Sequence, residues 1–103
     1  MARTAPLTLG PVVAPLVHLN GTGRAGLIEG LRAAEGPLRQ ALAALERGAA
    51  PNQRDYYPLP EGVWQTARDA HVARVQAVAA VLKQIERVHE AVSDSEAGIL
   101  VEP

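Results

Sequence analysis

Two long amphipathic stretches, separated by a proline-rich connection, limit what this chain can fold into. From Thr22 onward, leucine and alanine recur every three or four residues over roughly 25 positions, which is the repeat of one helix face. From about Glu61 to Val92, a second apolar stripe has the same spacing. Two such helices joined by one loop predict an all-α fold, an antiparallel two-helix hairpin.

Prolines and turn residues divide the remainder of the chain. Three prolines near the N-terminus exclude a long helix there and predict extended backbone. The predicted organisation is an extended N-terminal arm at 1–19, a helical hairpin domain at 20–95 with its loop at 49–62, and a flexible C-terminal tail at 96–103.

The first helix contains an interruption at Gly36–Pro37. Proline removes a backbone donor and disfavours a helical residue before it. Because the leucine stripe stays in phase on both sides, we expect a kink at Gly36–Pro37 and not the end of the helix. Charged residues between the leucines are expected on the surface of this helix: Glu29, Arg32, Glu35 and Arg39.

Two helices alone bury too little surface for most small domains, because each contributes only one stripe. Residues 75–82 are apolar on nearly every side, as in a helix with neighbours on more than one face. Gly26 and Gly30 would allow another backbone to approach the first helix closely. We therefore expect a homo-oligomer, in which the N-terminal arm could lie across a partner protomer.

The composition and charge of the chain exclude several classes of function. The formal net charge of −1 supplies no basic field of the kind that attracts DNA or RNA polymers. No apolar run approaches the roughly 18 residues needed to span a bilayer, so no membrane partner is expected. Cysteine is absent and no secretion signal is visible, which predicts a cytoplasmic protein.

Three glycines in residues 18–26, HLNGTGRAG, have the spacing of a dinucleotide-binding loop. Such a loop requires a second parallel strand after its helix, whereas this helix leads into a proline-rich loop and another helix. The spacing therefore does not predict a dinucleotide fold, and the stretch is interpreted as the start of a helix.

The start of this helix is nevertheless a potential anion site. Thr22 is a favourable N-cap residue, and the first-turn amides at 23–25 have no partner inside the helix. Together with the Thr22 hydroxyl and the Arg24 guanidinium, these amides could hold a phosphate. The alternative is that the segment forms only a turn and a cap. The residues assigned to this half of a site are His18, Asn20, Thr22, Gly23 and Arg24.

The loop between the helices holds a second group of residues. All three aromatic residues of the chain, Tyr56, Tyr57 and Trp64, lie in or next to it. Aromatic faces beside arginine and amide groups suit stacking on a nucleobase and hydrogen bonding to phosphate. The alternative is that the three rings only close the end of the hairpin core. The other residues assigned to this half are Asn52, Arg54, Asp55, Arg68 and His71.

The histidines do not predict a metal site. His71 and His89 are separated by about five helical turns, or about 27 Å, so they cannot share one ion within a chain. His18 has no further ligand at a suitable spacing. No serine, cysteine or carboxylate pair stands out as a nucleophile or an acid/base couple. The chain is therefore expected to be no enzyme, with no catalytic residue, metal or cofactor.

The two groups of polar residues lie at opposite ends of the predicted hairpin, which is a rod roughly 35 to 40 Å long. Within one chain they cannot meet. In an antiparallel oligomer, the Thr22 end of one protomer would lie beside the Tyr56 and Trp64 end of another. The sequence thus predicts composite sites between subunits, repeated by symmetry.

The motifs HLNGT and PNxRDYYP resemble those of small helical-hairpin proteins carried by phages and prophages. In place of the serine and acidic residues that usually follow the threonine in that group, this chain has residues 23–25, GRA. The resemblance covers about residues 16–92 and implies a phage-encoded protein acting in the host bacterial cytoplasm. The matching positions are 18–22, 51–52, 54–58, Ala67, His71 and Arg74.

By architecture the chain is also similar to phage sponges that sequester immune nucleotide signals. The leading hypothesis is a non-enzymatic protein that binds a cyclic nucleotide or cyclic ADP-ribose type of signal and counters anti-phage defence. Thr22 and Arg24 would hold phosphate, while the loop residues and Arg68 or His71 of another protomer would hold base and ribose. The alternative is a structural or interaction adaptor of a phage without a small-molecule ligand. A third hypothesis is a small hydrolase with His18 or His71 as base.

Overall fold

The computed structural model describes residues 8–101, which form two long helices, a short 3-10 helix and a two-stranded sheet. The two helices pack against each other over most of their length. This confirms the predicted all-α hairpin with a short N-terminal arm. The elements follow in the order β1 (Val13–Ala14), α1 (Arg24–Arg47), a 3-10 helix (Gln53–Asp55), α2 (Val63–Ser93) and β2 (Gly98–Ile99).

Helix α1 continues through its proline. Pro37 lies inside the helix, as its in-phase leucine stripe predicts, and α1 runs without a break to Arg47. The helix closes where the backbone N–H of Gly48 donates to the carbonyl of Ala44 at 2.8 Å. Because proline has no N–H, the carbonyl of Ala33 lacks the bond that any other residue at position 37 would donate.

Replacing this proline is expected to stabilise the protein. Pro37 is exposed, so Pro37→Ala supplies the missing donor without disturbing the core. We expect the free energy of unfolding to rise by about 1–3 kcal/mol, following the difference in helix propensity. Thermal unfolding followed by circular dichroism at fixed protein concentration measures the change. The matched variant Ala41→Pro, at an exposed position one turn later, should lower the stability; a loss of stability in Pro37→Ala would contradict the expectation.

Three contacts between the helices fix their antiparallel register. Arg39 Nη2 lies 2.7 Å from Glu86 Oε2, and His89 Nδ1 lies 2.6 Å from Glu35 Oε1. At the start of α1, the guanidinium of Arg24 donates to the hydroxyl of Ser95, just beyond the end of α2. The start of α1 therefore lies beside the end of α2, and the loop occupies the other end of the hairpin.

The prediction that Glu35 lies on the surface is wrong. Its side chain is only 4% exposed, because the carboxylate faces α2 and accepts a hydrogen bond from the His89 ring. Position 35 follows Leu31 by four residues and precedes Leu38 by three, so it lies on the apolar stripe. A charged residue is buried at this position because a partner on the other helix satisfies it.

The segment after α2 differs from the predicted flexible tail at 96–103. Residues 98–99 form strand β2, which pairs antiparallel with β1 so that Val13 lies opposite Ile99. The backbone N–H of Leu100 donates to the carbonyl of Val12 at 2.8 Å, and Arg87 Nη2 lies 2.9 Å from Glu96 Oε2. Leu100 faces inward and is buried beside Val12 and Ala14, whereas Ile99 and Val101 on the alternate positions are exposed.

The described part of the N-terminal arm, residues 8–19, lies on α2 of its own chain. The side-chain amide of Gln84 donates to the carbonyl of Gly10 at 3.0 Å, and Val12 and Ala14 are buried against the end of α2. The arm therefore packs mainly beyond the apolar residues 75–82, of which Ala80 shares the lining of a cavity with Leu9 and Val12. This part of the arm is held by α2 of its own chain and does not lie across a partner protomer.

The buried core is concentrated where the ribbon of β1 and β2 meets the end of α2. Val92 is the largest fully buried side chain, and the leucines of α1 are only half-buried. The radius of gyration is 18.4 Å, against about 13 Å for a compact domain of this length. A single chain therefore leaves much of its apolar surface in contact with water. The cluster consists of Val12, Ala14, Ala91 and Leu100, with Val88 packed against it.

Candidate functional site

The start of α1 is capped by Gly23 and not by Thr22, which corrects the predicted N-cap. Gly23 has extended backbone angles (φ −65°, ψ 161°), and no side chain caps the helix. The carbonyl of Gly23 accepts the first helical bond, from Leu27 at 3.0 Å. The open amides of the first turn are consequently those of Arg24, Ala25 and Gly26, one residue later than predicted.

His18 and Gly21 form a tight turn just before this helix. The N–H of Gly21 donates to the carbonyl of His18 at 3.2 Å. A Cβ atom at position 21 would lie 2.6 Å from Nε2 of the histidine ring. Glycine at position 21 therefore allows the His18 ring to lie against the backbone. His18, Asn20 and Thr22 are all exposed just before the helix.

Arg24 has a structural partner as well as a predicted ligand role. One nitrogen of its guanidinium donates to Ser95, whose backbone has a positive φ of 61°. A guanidinium carries five N–H donors, so this contact leaves others able to bind an anion. The hydrogen bond also holds the start of α1 to the segment that leads into β2.

In the loop, Asn52 has a clear structural function. Its side-chain oxygen accepts from the N–H of Arg54 at 2.9 Å and so caps the 3-10 helix. The 3-10 helix ends at Asp55, after which the N–H of Tyr56 donates to the carbonyl of Gln53 at 3.0 Å. The Asn52 and Asp55 positions therefore shape the loop and present Tyr56 at its end.

The aromatic residues surround a pocket at the loop end of the hairpin. The rings of Tyr56 and Trp64 lie 6.1 Å apart between centroids, with a tilt of 46°. Tyr57 is 78% exposed and borders the same cavity, whose volume is about 230 Å³. Gly62, with a φ of +93°, makes the sharp turn into α2 that brings Trp64 back against the loop. The polar residues of the lining are Gln53, Glu61 and Gln65.

Five predicted residues of this half do not line the pocket: Asn52 and Asp55, which shape the loop, and Arg54, Arg68 and His71. Arg54 is exposed on the 3-10 helix, and Arg68 is exposed on α2 with its Nε atom 3.5 Å from Asp69. His71 is buried within α2 at 8% exposure, so its ring is not presented to a ligand in this chain. The polar groups of the pocket, Gln53, Glu61 and Gln65, were not among the assigned site residues, because neither a single amide nor a lone carboxylate in a loop forms a recognisable motif.

The structure places the two predicted halves at opposite ends of the hairpin, and of the loop half only the aromatic residues share one pocket. His18, Asn20, Thr22 and Arg24 gather at the start of α1, and the three aromatic residues gather at the loop. The molecule is 62 Å along its longest axis, and α1 alone accounts for about 36 Å of this length. A site that uses both halves therefore requires two chains.

A polar cluster between the helices was also missed. Glu35, Arg39, Glu86 and His89, which pair across the two helices, border a shallow cavity of about 380 Å³. The hydrogen bond from Arg39 to Glu86 raises the pKa of the arginine above its usual value, so the guanidinium stays charged. The available signal was a glutamate on the stripe of α1 together with a histidine on the stripe of α2.

Within residues 8–101, no group of three or more His, Asp or Glu side chains is arranged to hold a metal ion. Neither of the two long helices described here is apolar enough over 18 residues to cross a membrane. Comparison with family models, curated proteins and solved structures finds no match for the chain.

Proposed function

We propose that this protein is a non-enzymatic binding protein that holds a nucleotide-derived small molecule at sites shared between protomers of a homo-oligomer. The pocket of about 230 Å³ at the loop end carries the proposal. Tyr56, Tyr57 and Trp64, which are all the aromatic residues of the chain, line this one cavity. Stacking of a base on an aromatic face contributes about 1–3 kcal/mol, so such a cavity suits a nucleobase.

The polar lining of the pocket fits the edge of a base or a ribose. The amides of Gln53 and Gln65 each offer a donor and an acceptor, and the carboxylate of Glu61 accepts from an amino or hydroxyl group. No arginine or lysine is among the residues that line this cavity. A phosphate on the same ligand therefore needs donors from outside the pocket.

The start of α1 in a second protomer can supply those donors. The amides of Arg24, Ala25 and Gly26 are open, and the exposed Thr22 hydroxyl and the free N–H groups of Arg24 lie beside them. The resemblance to phage-encoded hairpin proteins supports a function during phage infection of a bacterium. The ligand would be an immune signal of the cyclic nucleotide or cyclic ADP-ribose type, captured in the bacterial cytoplasm to counter anti-phage defence.

Calorimetric titration with cyclic dinucleotides, cyclic trinucleotides and cyclic ADP-ribose isomers tests the proposal. We expect one class to bind and to be recovered intact after heat denaturation of the protein. Tyr57→Ala should weaken binding about 5- to 150-fold, the equivalent of one lost stacking interaction, whereas Tyr57→Phe should retain it. Thr22→Ala should also weaken binding without destabilising the protein, because Thr22 does not cap the helix.

Arg32→Ala provides the control, since Arg32 is exposed on α1 away from both ends. The affinity of the Arg32→Ala variant for the nucleotide should equal that of the unmodified protein. Absence of binding by every member of the panel would overturn the proposal. Recovery of cleaved ligand would show an enzyme, and loss of fold in both Tyr57→Ala and Thr22→Ala would show that these residues have structural functions only.

A second candidate function is that of an adaptor without a small-molecule ligand. It is favoured by large apolar side chains in contact with water, among them Leu19 at 98% and Val101 at 86% exposure. Monomeric proteins rarely leave such side chains grouped on one surface. Under this alternative the pocket stays empty across the ligand panel, and the protein binds through its apolar surface.

A further inference from the structure

Glu61 is the one charged residue among those that line the aromatic pocket at the loop end. Its carboxylate borders the same cavity as the rings of Tyr56, Tyr57 and Trp64. Within residues 8–101, no group donates a hydrogen bond to this carboxylate or forms an ion pair with it. The side chain is exposed, so its two oxygens are available to a ligand that enters the pocket.

A hydrogen-bonded turn fixes the backbone at Glu61. The N–H of Val63 donates to the carbonyl of Pro60 at 3.3 Å, which closes the turn around this residue. Gly62 follows with a φ of +93°, and the chain then enters α2, where Trp64 lies against the loop. The loop therefore sets the place of the carboxylate before a ligand binds, which lowers the entropy lost upon binding.

The size of the cavity limits which part of a nucleotide enters it. Its volume of about 230 Å³ lies below the roughly 300–1,000 Å³ of pockets that enclose a whole drug-sized ligand. The cavity therefore suits one nucleobase, whereas the sugar and the phosphates extend outside. Because the face of the base stacks on an aromatic ring, its edge is the part that meets the polar groups of the wall.

We infer that this pocket selects guanine over the other nucleobases, through the carboxylate of Glu61. The inference rests on the proposed function and names the base of its ligand. An ionised carboxylate only accepts hydrogen bonds. Guanine alone among the common bases presents two adjacent donors on its Watson–Crick edge, N1–H and the N2 amino group, so one carboxylate can accept both as a charge-assisted bidentate pair.

The other bases oppose a carboxylate in the same place. Adenine and cytosine have an unprotonated ring nitrogen beside their amino group, and uracil and thymine have a carbonyl on each side of one N–H. An acceptor of the base would then face an oxygen of Glu61, and neither group would be satisfied after leaving water. The amides of Gln53 and Gln65 do not discriminate, because each can turn to present its donor or its acceptor.

Paired ligands that differ only in the base test the inference. Calorimetric titration compares cyclic di-GMP with cyclic di-AMP, and every other class of the panel is likewise measured in a guanine form and an adenine form. We expect the guanine form to bind about 5- to 150-fold more tightly, which is the discrimination of one bidentate contact. The inosine form keeps N1–H but lacks the N2 amino group, so its affinity should lie between the two.

Glu61→Gln should remove the preference for guanine. The amide has one acceptor and one donor, so it loses one bond to guanine and can form a bidentate pair with adenine. We expect the ratio of the two affinities to fall to one or to invert. The circular dichroism spectrum should stay unchanged, since the Glu61 side chain has no partner among the described residues.

Glu46→Gln is the matched control for this variant. Glu46 is exposed on α1 and does not line the pocket, so its replacement removes the same charge without touching the site. The affinities of the Glu46→Gln variant for the guanine and adenine forms should equal those of the unmodified protein.

The results separate this inference from the proposed function. Equal affinity for the guanine and adenine forms would overturn the guanine assignment and leave nucleotide binding standing. A ratio that Glu61→Gln leaves unchanged would have the same consequence, and an equal loss of affinity for both forms would show that the carboxylate holds the ribose. If no member of the panel binds in either form, the proposed function itself is overturned.

Discussion

His89→Ala should lower the free energy of unfolding by about 3–5 kcal/mol, because it leaves a buried carboxylate without its partner. Glu35 is 4% exposed, and its closest remaining cation is Arg39, at 3.8 Å and already bonded to Glu86 at 2.7 Å. Most domains are stable by only 5–15 kcal/mol, so this loss is a large fraction of the total. Urea unfolding followed by circular dichroism at one fixed protein concentration measures the change.

A second substitution separates the charge from the packing in this experiment. Adding Glu35→Gln to His89→Ala should recover part of the loss, because the amide costs less to bury unpaired than the carboxylate. The double variant Glu35→Leu with His89→Leu should be close to the unmodified protein in stability, as for other buried pairs replaced by apolar residues. The exposed His18→Ala is the control. An effect of His89→Ala below 1 kcal/mol, similar to that of an exposed residue, would contradict the buried pair.

Leu100→Ala should cost about 2–5 kcal/mol, the range for a large-to-small change in a core. Leu100 is 9% exposed and belongs to the cluster of buried residues with Val12 and Ala14. Its loss exposes the cluster from the side of β2, so we expect the ribbon to open while the helices persist. Thermal unfolding and amide hydrogen exchange in residues 12–14 measure the two effects.

The neighbouring residue provides a matched control for this prediction. Val101 is 86% exposed, so Val101→Ala should change the stability by less than about 0.5 kcal/mol. If Leu100→Ala and Val101→Ala have equal effects, the C-terminal segment does not contribute to the core, and the original interpretation of residues 96–103 as a flexible tail is correct.

The helices were predictable because their signal is periodic and long. The expected starts at Thr22 and Glu61 differ by two residues from the observed starts at Arg24 and Val63. Proline at position 37 did not end α1, since the leucine stripe on both sides is in phase and packing against α2 outweighs one missing hydrogen bond. The aromatic part of the pocket was predictable, because the three aromatic residues of the chain all lie within residues 56–64.

The ribbon and the buried pair were not predictable by the same reasoning. Strands of two residues are too short for an alternating pattern to stand out, and β1 pairs with a segment at the other end of the chain. The burial of Glu35 depends on His89, which is 54 residues away. Helix periodicity places each residue on a stripe, but it does not show which residue of the second helix lies opposite.

The ribbon joins both ends of the chain. Val13 and Ile99 are about 86 positions apart, so their pairing closes a long loop, which costs more chain entropy than any contact between neighbouring helical turns. Folding can therefore begin with the local helices and finish with the ribbon. Once formed, the ribbon makes its two strands cooperative: neither strand can fray alone, because each supplies the hydrogen bonds and the inner face that the other needs.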